Sequence, residues 1–386
     1  MRRVYLDHNA TTPLRPEVRA RLAELASGPP LNPSSVHGSG RRARQLLDDA
    51  RERVAAALGA LEDEILFTGG GTEANNMAVL GAVRAAGPGA ALVTTVVEHS
   101  SILGPAAALE AERHPVHRVA VDAEGRPDAR AVLLAARGAR LVSVMAANNE
   151  VGALGPLAAI GTGLAELPPG ERPLFHTDAV QALGRVPVEL TEWRVDLASF
   201  SAHKVGGPQG VGVLYRRQGT VLAPLSHGGG QEAGLRPGTE NVAGIVGGAL
   251  AIELAAAEQA DYAARTRVYS KALWQEVQTT IASVTLLGPA IDSAQRLPNT
   301  LCLSIAEADG RVLVTRLDLA GLEVSAGSAC ASGAPEPSHV LIAMGLDAER
   351  ARAGLRISLG RTTNEQDIHR AVDILRKTFS HARKCS

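Results

Sequence analysis

Through the first two thirds of the chain, short apolar runs alternate with helical or Gly/Pro-rich segments, and this alternation limits the folds open to it. The runs lie at residues 65–68, 91–97, 141–145, 173–177, 195–200 and 211–215. Apolar strands separated by helix-length connections pair in parallel and are covered on both faces. The segment 40–58 shows what covers them. Its Ala43, Leu46, Leu47, Ala50, Val54, Ala57 and Leu58 fall at helical spacing, Asp49 and Arg53 add an i,i+4 pair, and Gly59 stops the helix. The pattern predicts an α/β protein with a mainly parallel sheet.

Beyond this the rhythm changes. Residues 238–267 read as long, Ala-rich helix, followed by a strand at 300–305, a helix near 311–319 and a strand at 354–359. A last helix is predicted to open on the capping-box spacing Thr362…Glu365. We expect a large domain over residues 16–255 and a smaller one over 256–386, with the extended arm 1–15 packing with the smaller part. No internal repeat or low-complexity tail interrupts this division.

Composition narrows the partners. The 386 residues are enough for two domains. With 39 basic against 40 acidic residues, nothing points to direct nucleic-acid or anionic-membrane binding. Aromatics are only 3%, so the core must be Ala, Val, Leu and Ile. The richest apolar stretch, 244–257, is broken by Glu253 and falls short of a membrane span. Arg2 and Arg3 are not followed by the apolar stretch of a secretory signal. Cys302, Cys330 and Cys385 are too few and too scattered for a disulfide framework or a CxxC metal site. A reducing cytoplasmic setting is therefore expected, where an important cysteine is a reactive thiol.

Chemistry concentrates at a few places. In Ser201-Ala202-His203-Lys204-Val205-Gly206-Gly207-Pro208, one lysine follows a polar, phosphate-compatible triplet and precedes a glycine-rich turn. Upstream, Asp178 closes a hydrophobic segment in Phe175-His176-Thr177-Asp178-Ala179-Val180-Gln181. A lysine that forms a Schiff base and an acid that holds a pyridinium nitrogen are the two protein groups that pyridoxal phosphate chemistry requires. Parallel sheets place ligands at the C-terminal ends of strands, where Asp178 lies; alone it serves equally to cap the next helix. Gln181 is placed to donate to a ring phenolate oxygen. In Thr68-Gly69-Gly70-Gly71-Thr72-Glu73, between a strand and a helix, the glycines around Gly71 let the backbone approach an anion and Thr72 adds a hydroxyl. Such turns are also common as plain structure, and this one is neither a Walker A motif nor a dinucleotide fingerprint.

His99 follows a strand, where an imidazole can stack on a flat ring and pass protons, although most of the eleven histidines will be structural. Arg356, on an otherwise apolar strand, reads either as a bidentate grip on a substrate carboxylate or as an ordinary edge-strand arginine. The run Ser325-Ala326-Gly327-Ser328-Ala329-Cys330-Ala331-Ser332-Gly333-Ala334-Pro335 is too small-sided to pack a core and predicts a mobile loop around a reactive Cys330. Cys302, in strand-like surroundings, reads as a buried core thiol, and Cys385 sits next to the terminus.

Together these segments resemble the cysteine desulfurases, pyridoxal phosphate enzymes of the class V aminotransferase superfamily. The resemblance runs from Tyr5-Leu6-Asp7-His8-Asn9-Ala10-Thr11-Thr12-Pro13 to Arg356-Ile357-Ser358-Leu359-Gly360-Arg361. It includes Asn32-Pro33-Ser34-Ser35, Asn148-Asn149-Glu150-Val151-Gly152 and Gly238-Thr239-Glu240-Asn241. It implies the fold type I of pyridoxal phosphate-dependent transferases: a large domain with a mainly parallel seven-stranded sheet and a smaller α+β C-terminal domain. It also implies that Lys204 carries the cofactor, Asp178 pairs with its ring nitrogen, His99 stacks on the ring and Gln181 faces the phenolate oxygen. Thr72, Ser201 and His203 would hold the phosphate, and Thr239 would reach the phosphate of a neighbouring subunit in a homodimer. Asn149 and Arg356 would hold the carboxylate of L-cysteine. Cys330 would take its sulfur as a persulfide, leaving alanine, and pass it to an acceptor such as an iron–sulfur scaffold.

The cysteine run followed by Glu336-Pro337-Ser338-His339-Val340 resembles the long-loop group that includes the Isc-type and Nif-type enzymes, and not the short-loop Suf type. Ala331 stands where many members have Thr. A selenocysteine lyase or a class V transaminase would use the same cofactor frame, but a transaminase has no use for Cys330. A non-catalytic scaffold retaining the fold is the remaining alternative.

Overall fold

The structure, a computed structural model, describes residues 3–168, 170–281, 283–306, 308–326 and 337–382. Thirteen strands are present among them: β1 (Val4–Tyr5), β2 (Ile65–Thr68), β3 (Leu92–Thr95), β4 (Val116–Val119), β5 (Leu141–Ser143), β6 (Leu174–Asp178), β7 (Leu197–Ser201), β8 (Gly212–Arg216), β9 (Val284–Leu287), β10 (Thr300–Ile305), β11 (Leu322–Glu323), β12 (Ser325–Ala326) and β13 (Gly354–Ser358). The larger sheet has seven strands in the order β2-β8-β7-β6-β5-β3-β4. Its pairings are parallel from β7 through β4, and β8 runs antiparallel to both its neighbours. The expected mainly parallel seven-stranded sheet is what forms.

Successive residues of one strand point to opposite faces, and here both faces are apolar. Val93, Val142, Ala198 and Val213 join one core with Leu47, Ile160, Ile245 and Ile252 from the helices Gly38–Leu58, Leu157–Ala165 and Val242–Ala257. Their strand neighbours Leu92, Leu141, Leu197 and Leu214 join a second core with Ala78, Val79, Ile102 and Leu109 from the helices Gly71–Ala85 and Ser100–Ala111. Full burial of each such Val or Leu contributes about 1.5–3 kcal/mol, so two-sided covering, not hydrogen bonding alone, holds this sheet. The helix Gly38–Leu58 ends as expected at Gly59, whose φ of 65° is the left-handed cap that glycine adopts without strain.

A four-stranded antiparallel sheet, β12-β13-β10-β9, forms a separate core in which Leu301, Leu303, Leu355 and Ile357 pack with Leu273, Val277 and Leu375 of the helices Gln259–Thr280 and Glu365–Ala382. The N-terminal arm contributes Val4 and Leu6 to that core, and β1 pairs in parallel with β11. The arm then crosses to the larger sheet, where Arg15 N donates to Gly206 O at 2.9 Å.

Two local expectations change. The long helical region is two helices, Val242–Ala257 and Gln259–Thr280, meeting at a 68° bend; among the described residues no single helix is long and apolar enough to cross a membrane. The last helix is not capped by Thr362 and Glu365. It begins at Glu365, and the reciprocal pair is Asn364 and Asp367: Asp367 N donates to Asn364 Oδ1 at 3.1 Å and Asn364 N to Asp367 Oδ2 at 3.2 Å. The same spacing recurs two residues on, with a better acceptor at the first position. Arg356, read as a possible edge-strand residue, lies on β13 with a strand on either side.

Two buried polar groups of the larger sheet show how such groups are held. His176 bridges three strands, with Nδ1 2.8 Å from Ser143 Oγ and Nε2 3.0 Å from Ser199 Oγ; burial pushes it down to about 3, so it stays neutral. Glu98 lies just past β3, where its Oε1 accepts from Thr95 Oγ1 at 2.8 Å and Met145 N at 3.0 Å. Burial raises this carboxyl to about 8, and Asp178 adds to the shift. The folded chain therefore holds a proton here that the unfolded chain releases from about pH 4.5 upward, so Glu98 lowers stability progressively as pH rises toward 8. Glu98→Gln should melt close to the wild type near pH 4.5 and at a clearly higher temperature near pH 8 in calorimetric scans; parallel pH profiles would refute the assignment.

Candidate active site

The strands β3, β5, β6 and β7 run in parallel, and their C-terminal ends open into a cleft of about 380 Å³. Asp178 is the last residue of β6 and Ser201 the last of β7; His99 follows β3, and Met145 and Asn149 follow β5. Gly71, Thr72, Gln181, His203, Lys204 and Arg356 complete the wall, together with Asn9 and Ala10 from the arm. Every expected cofactor or substrate residue among the described ones lines this cleft except Thr239. That residue is exposed on the segment ahead of helix Val242–Ala257. Cys330 lies outside the described residues.

One end of the cleft is built for an anion. A Cβ placed on Gly71 would come within 2.9 Å of Val180 Cγ2 and 3.3 Å of Ser201 Cβ, so only glycine lets the start of helix Gly71–Ala85 sit this close to Ser201. That start offers unpaired backbone N–H groups and a positive dipole end. The hydroxyls of Thr72 and Ser201 and the His203 ring surround it. Burial, followed by the charges of Lys204 and Arg185, pushes His203 down to about 4, so it contributes a neutral imidazole; its Nδ1 lies 3.0 Å from Thr11 Oγ1.

The cleft also carries the acid. Asp178 Oδ1 accepts from Val180 N at 3.0 Å and Oδ2 from Asn75 Nδ2 at 2.7 Å, which orients the carboxylate at the floor of the cleft. His99 caps helix Ser100–Ala111, its Nδ1 accepting from Ser101 N at 3.1 Å. Ordinary N-capping therefore places the imidazole at the strand end.

The arm positions the lysine. Lys204 Nζ donates to the carbonyls of Asn9 and Ala10, each at 2.7 Å. Asn9 O also accepts from Gln181 Nε2 at 3.0 Å, and Asn9 Nδ2 donates to Asn149 O at 3.2 Å and Thr300 Oγ1 at 2.9 Å. Among the described residues, Gln181 Oε1 is buried without a hydrogen-bond partner. Facing these groups, Arg356 is 2% exposed and pairs with Asp7 at 2.7 Å while donating to Asn149 O at 3.2 Å. Among the described residues its buried Nε has no acceptor, and these contacts use two of the five guanidinium N–H groups. Cys302 faces Arg356 across β10 and β13, and burial pushes its thiol up to about 12. It is the inert core cysteine that was expected.

The set matches pyridoxal phosphate: an anion cradle, a lysine, a carboxylate, an imidazole at the wall and the NH2 of Gln181, which gives one of its two N–H groups to Asn9 O. Sequence reasoning missed Asp7, Asn9, Asn75 and Ser101. Asp7 and Asn9 sit inside a segment that was singled out, and Asn75 and Ser101 lie within two residues of singled-out positions, but the roles of residues such as Asn75 come from contacts far along the chain, here the 103 positions that separate it from Asp178.

The aminotransferase class-V family matches residues 4–371. The cysteine desulfurase IscS of Dictyoglomus turgidum is 43% identical over 100% of this chain and 96% of its own length. Among solved structures, a NifS-like protein superposes with a TM-score of 0.90 at 35% identity, covering 98% of this chain and 100% of that one. SspA, solved in complex with cysteine, has a TM-score of 0.79 at 32% identity, covering 92% of this chain and 98% of that one. With a match over nearly all of its length, and relatives alike from end to end, this chain belongs to the aminotransferase class-V family.

Proposed function

We propose that the protein is a pyridoxal phosphate-dependent cysteine desulfurase that converts L-cysteine to L-alanine and captures the sulfur on Cys330. The observation that carries this is the meeting, in one cleft, of Lys204, Asp178 and His99 with Arg356, the last on a strand that pairs with the chain leading to Cys330. The close likeness to cysteine desulfurases over the whole length supports the same reading. So does the cysteine held by SspA.

Bound pyridoxal phosphate, the cofactor of this family, supplies an electron-accepting ring that weakens the bonds around the amino acid's Cα. The chain's own residues do the rest. Thr72, Ser201 and His203 hold the phosphate with the N–H groups of helix Gly71–Ala85, and Asp178 keeps a proton at the ring nitrogen. Gln181 would face the phenolate oxygen, and His99 would stack on the ring. Arg356, oriented by Asp7, meets the substrate carboxylate with Asn149. Lys204 anchors the cofactor and takes the Cα proton, and the Asn9 and Ala10 carbonyls hold its amine at the cleft.

The sulfur step balances without an outside oxidant. The Cys330 thiolate attacks the substrate sulfur, the C–S bond breaks, an S–S bond forms, and the carbon receives a proton to become the methyl group of alanine. Ser325 pairs in register with Arg356, and Ala326 follows it. Four residues of chain span at most about 14 Å, so Cys330 is tethered within that distance of Ala326. On the far side of the cysteine run, Ser338 Oγ donates to Glu150 Oε2 at 2.5 Å, next to Asn149. Both flanks are thus anchored at the substrate end of the cleft.

The enzyme acts as a homodimer in the cytoplasm, with exposed Thr239 completing a neighbour's phosphate site, and hands the persulfide to an acceptor such as an iron–sulfur scaffold. Sedimentation and persulfide transfer to candidate acceptors, read by mass spectrometry, test these points.

Replacing Cys330 by Ala should abolish the enzyme persulfide and cut alanine formation from cysteine by more than ~10²-fold while cofactor absorbance persists. Full alanine formation in that variant would end the assignment. Lys204→Ala should lose the visible cofactor band on dialysis and fall in turnover by more than ~10²-fold. Arg356→Lys keeps the charge but loses the planar fork, and should raise KM for cysteine about 10–100-fold, as expected for one charge-assisted hydrogen bond.

A further inference from the structure

The side chains between Asp178 and His99 have only one consistent arrangement of protons. A carboxylate only accepts, so the group that Asn75 turns toward Asp178 Oδ2, 2.7 Å away, is its NH2. The second N–H of the same NH2 lies 2.8 Å from Ser101 Oγ, which therefore accepts. Ser101 Oγ has its own hydrogen left to give, and 2.7 Å away is His99 Nδ1. The Ser101 backbone N–H, which can only donate, reaches the same nitrogen at 3.1 Å. His99 Nδ1 thus faces two donors from one residue, and a hydrogen on Nδ1 would point at both. Asn75 and Ser101 are 1% and 5% exposed, so bulk water does not reshuffle this chain.

We infer that Asn75 and Ser101 are positioning residues that fix His99 as the imidazole carrying its proton on Nε2, and that they tie its orientation to the Asp178 carboxylate. The N–H that His99 brings to the cleft is then always the same one, across the ring from Ser101. The group pairing with the cofactor's ring nitrogen and the group on the cofactor's face share one hydrogen-bonded chain, Asp178–Asn75–Ser101–His99. Motion of the carboxylate is felt at the imidazole through two side chains and no solvent. A structural N-cap needs only the backbone N–H at Nδ1, which already favours the Nε2 tautomer; the serine hydroxyl adds a second, closer donor at the same nitrogen, and the asparagine fixes that hydroxyl's direction.

The inference rests on the desulfurase reading only for the use of the Nε2 proton, and its test separates the two. The full-length holoenzyme, labelled with 15N in its histidines, is examined by long-range proton–nitrogen spectroscopy, with His99 assigned from a His99→Asn variant. The wild type should show an unprotonated Nδ1 and a protonated Nε2. Ser101→Ala and Asn75→Ala should each shift the His99 nitrogens toward a mixture of tautomers. Turnover should fall about tenfold, part of the ~10²–10⁴ that a positioned proton donor contributes, with KM for cysteine unchanged. A wild-type His99 protonated on Nδ1 would overturn the inference. So would both variants retaining wild-type nitrogen shifts and turnover. The expected tautomer in a protein that makes no alanine from cysteine would instead overturn the function and leave this assignment standing.

Discussion

Four parallel strands, β3, β5, β6 and β7, end at the same edge of one sheet, and the cleft exists because they do. Parallel strands require crossovers, and crossover helices bury both faces of the sheet. Once both faces are closed, only the strand ends remain for polar chemistry. Asp178 and Ser201 are the terminal residues of β6 and β7 for that reason, and His99 caps the helix that follows β3. The two cores on either side of the sheet therefore do more than stabilise it. They decide where a carboxylate, an imidazole and a lysine can meet.

The same closure makes each polar group at the edge costly unless it is matched. An unsatisfied buried donor or acceptor costs about 1–3 kcal/mol, whereas an exposed ion pair such as Arg53–Glu253 contributes about 0–1 kcal/mol. The interactions that define the site are accordingly the buried ones. Asn9 is 1% exposed and uses both its carbonyl and its side chain to join Lys204, Gln181, Asn149 and Thr300. The N-terminal arm is thus a structural part of the cleft: it packs with one sheet through Val4 and Leu6 and supplies acceptors to a lysine on the other.

Most of the larger sheet was legible because its strands are apolar on both sides. Five of the six runs read from sequence differ from the observed strands only at their ends, and 65–68 coincides with β2. The strand that escaped notice is β4, Val116–Val119: it lies at the sheet edge, its His117 and Arg118 are exposed, and it carries no apolar run. The terminal capping box was displaced because two overlapping spacings exist and the one that opens on Asn364, the better acceptor, is the one that forms. At the site, residues whose chemistry is local were readable: Lys204 beside its polar triplet, Asp178 at a strand end, Gly71 before a helix. Asp7 and Asn75 were not, because their meaning lies in partners far along the chain, Arg356 and Asp178.

The two sheets meet chemically at Arg356. On β13 it stands between Cys302 of β10 and Ser325 of β12, the latter five positions before Cys330 in the sequence. The environment of Cys302 decides its chemistry. A thiol is nucleophilic only as thiolate, and burial holds Cys302 at about 12 even beside Arg296 and Arg356. Nearby positive charge is not enough to activate a cysteine that water cannot reach. By sealing Cys302 inside the sheet, the fold keeps the thiol next to Arg356 out of nucleophilic chemistry, so the sulfur capture proposed for this chain falls to Cys330.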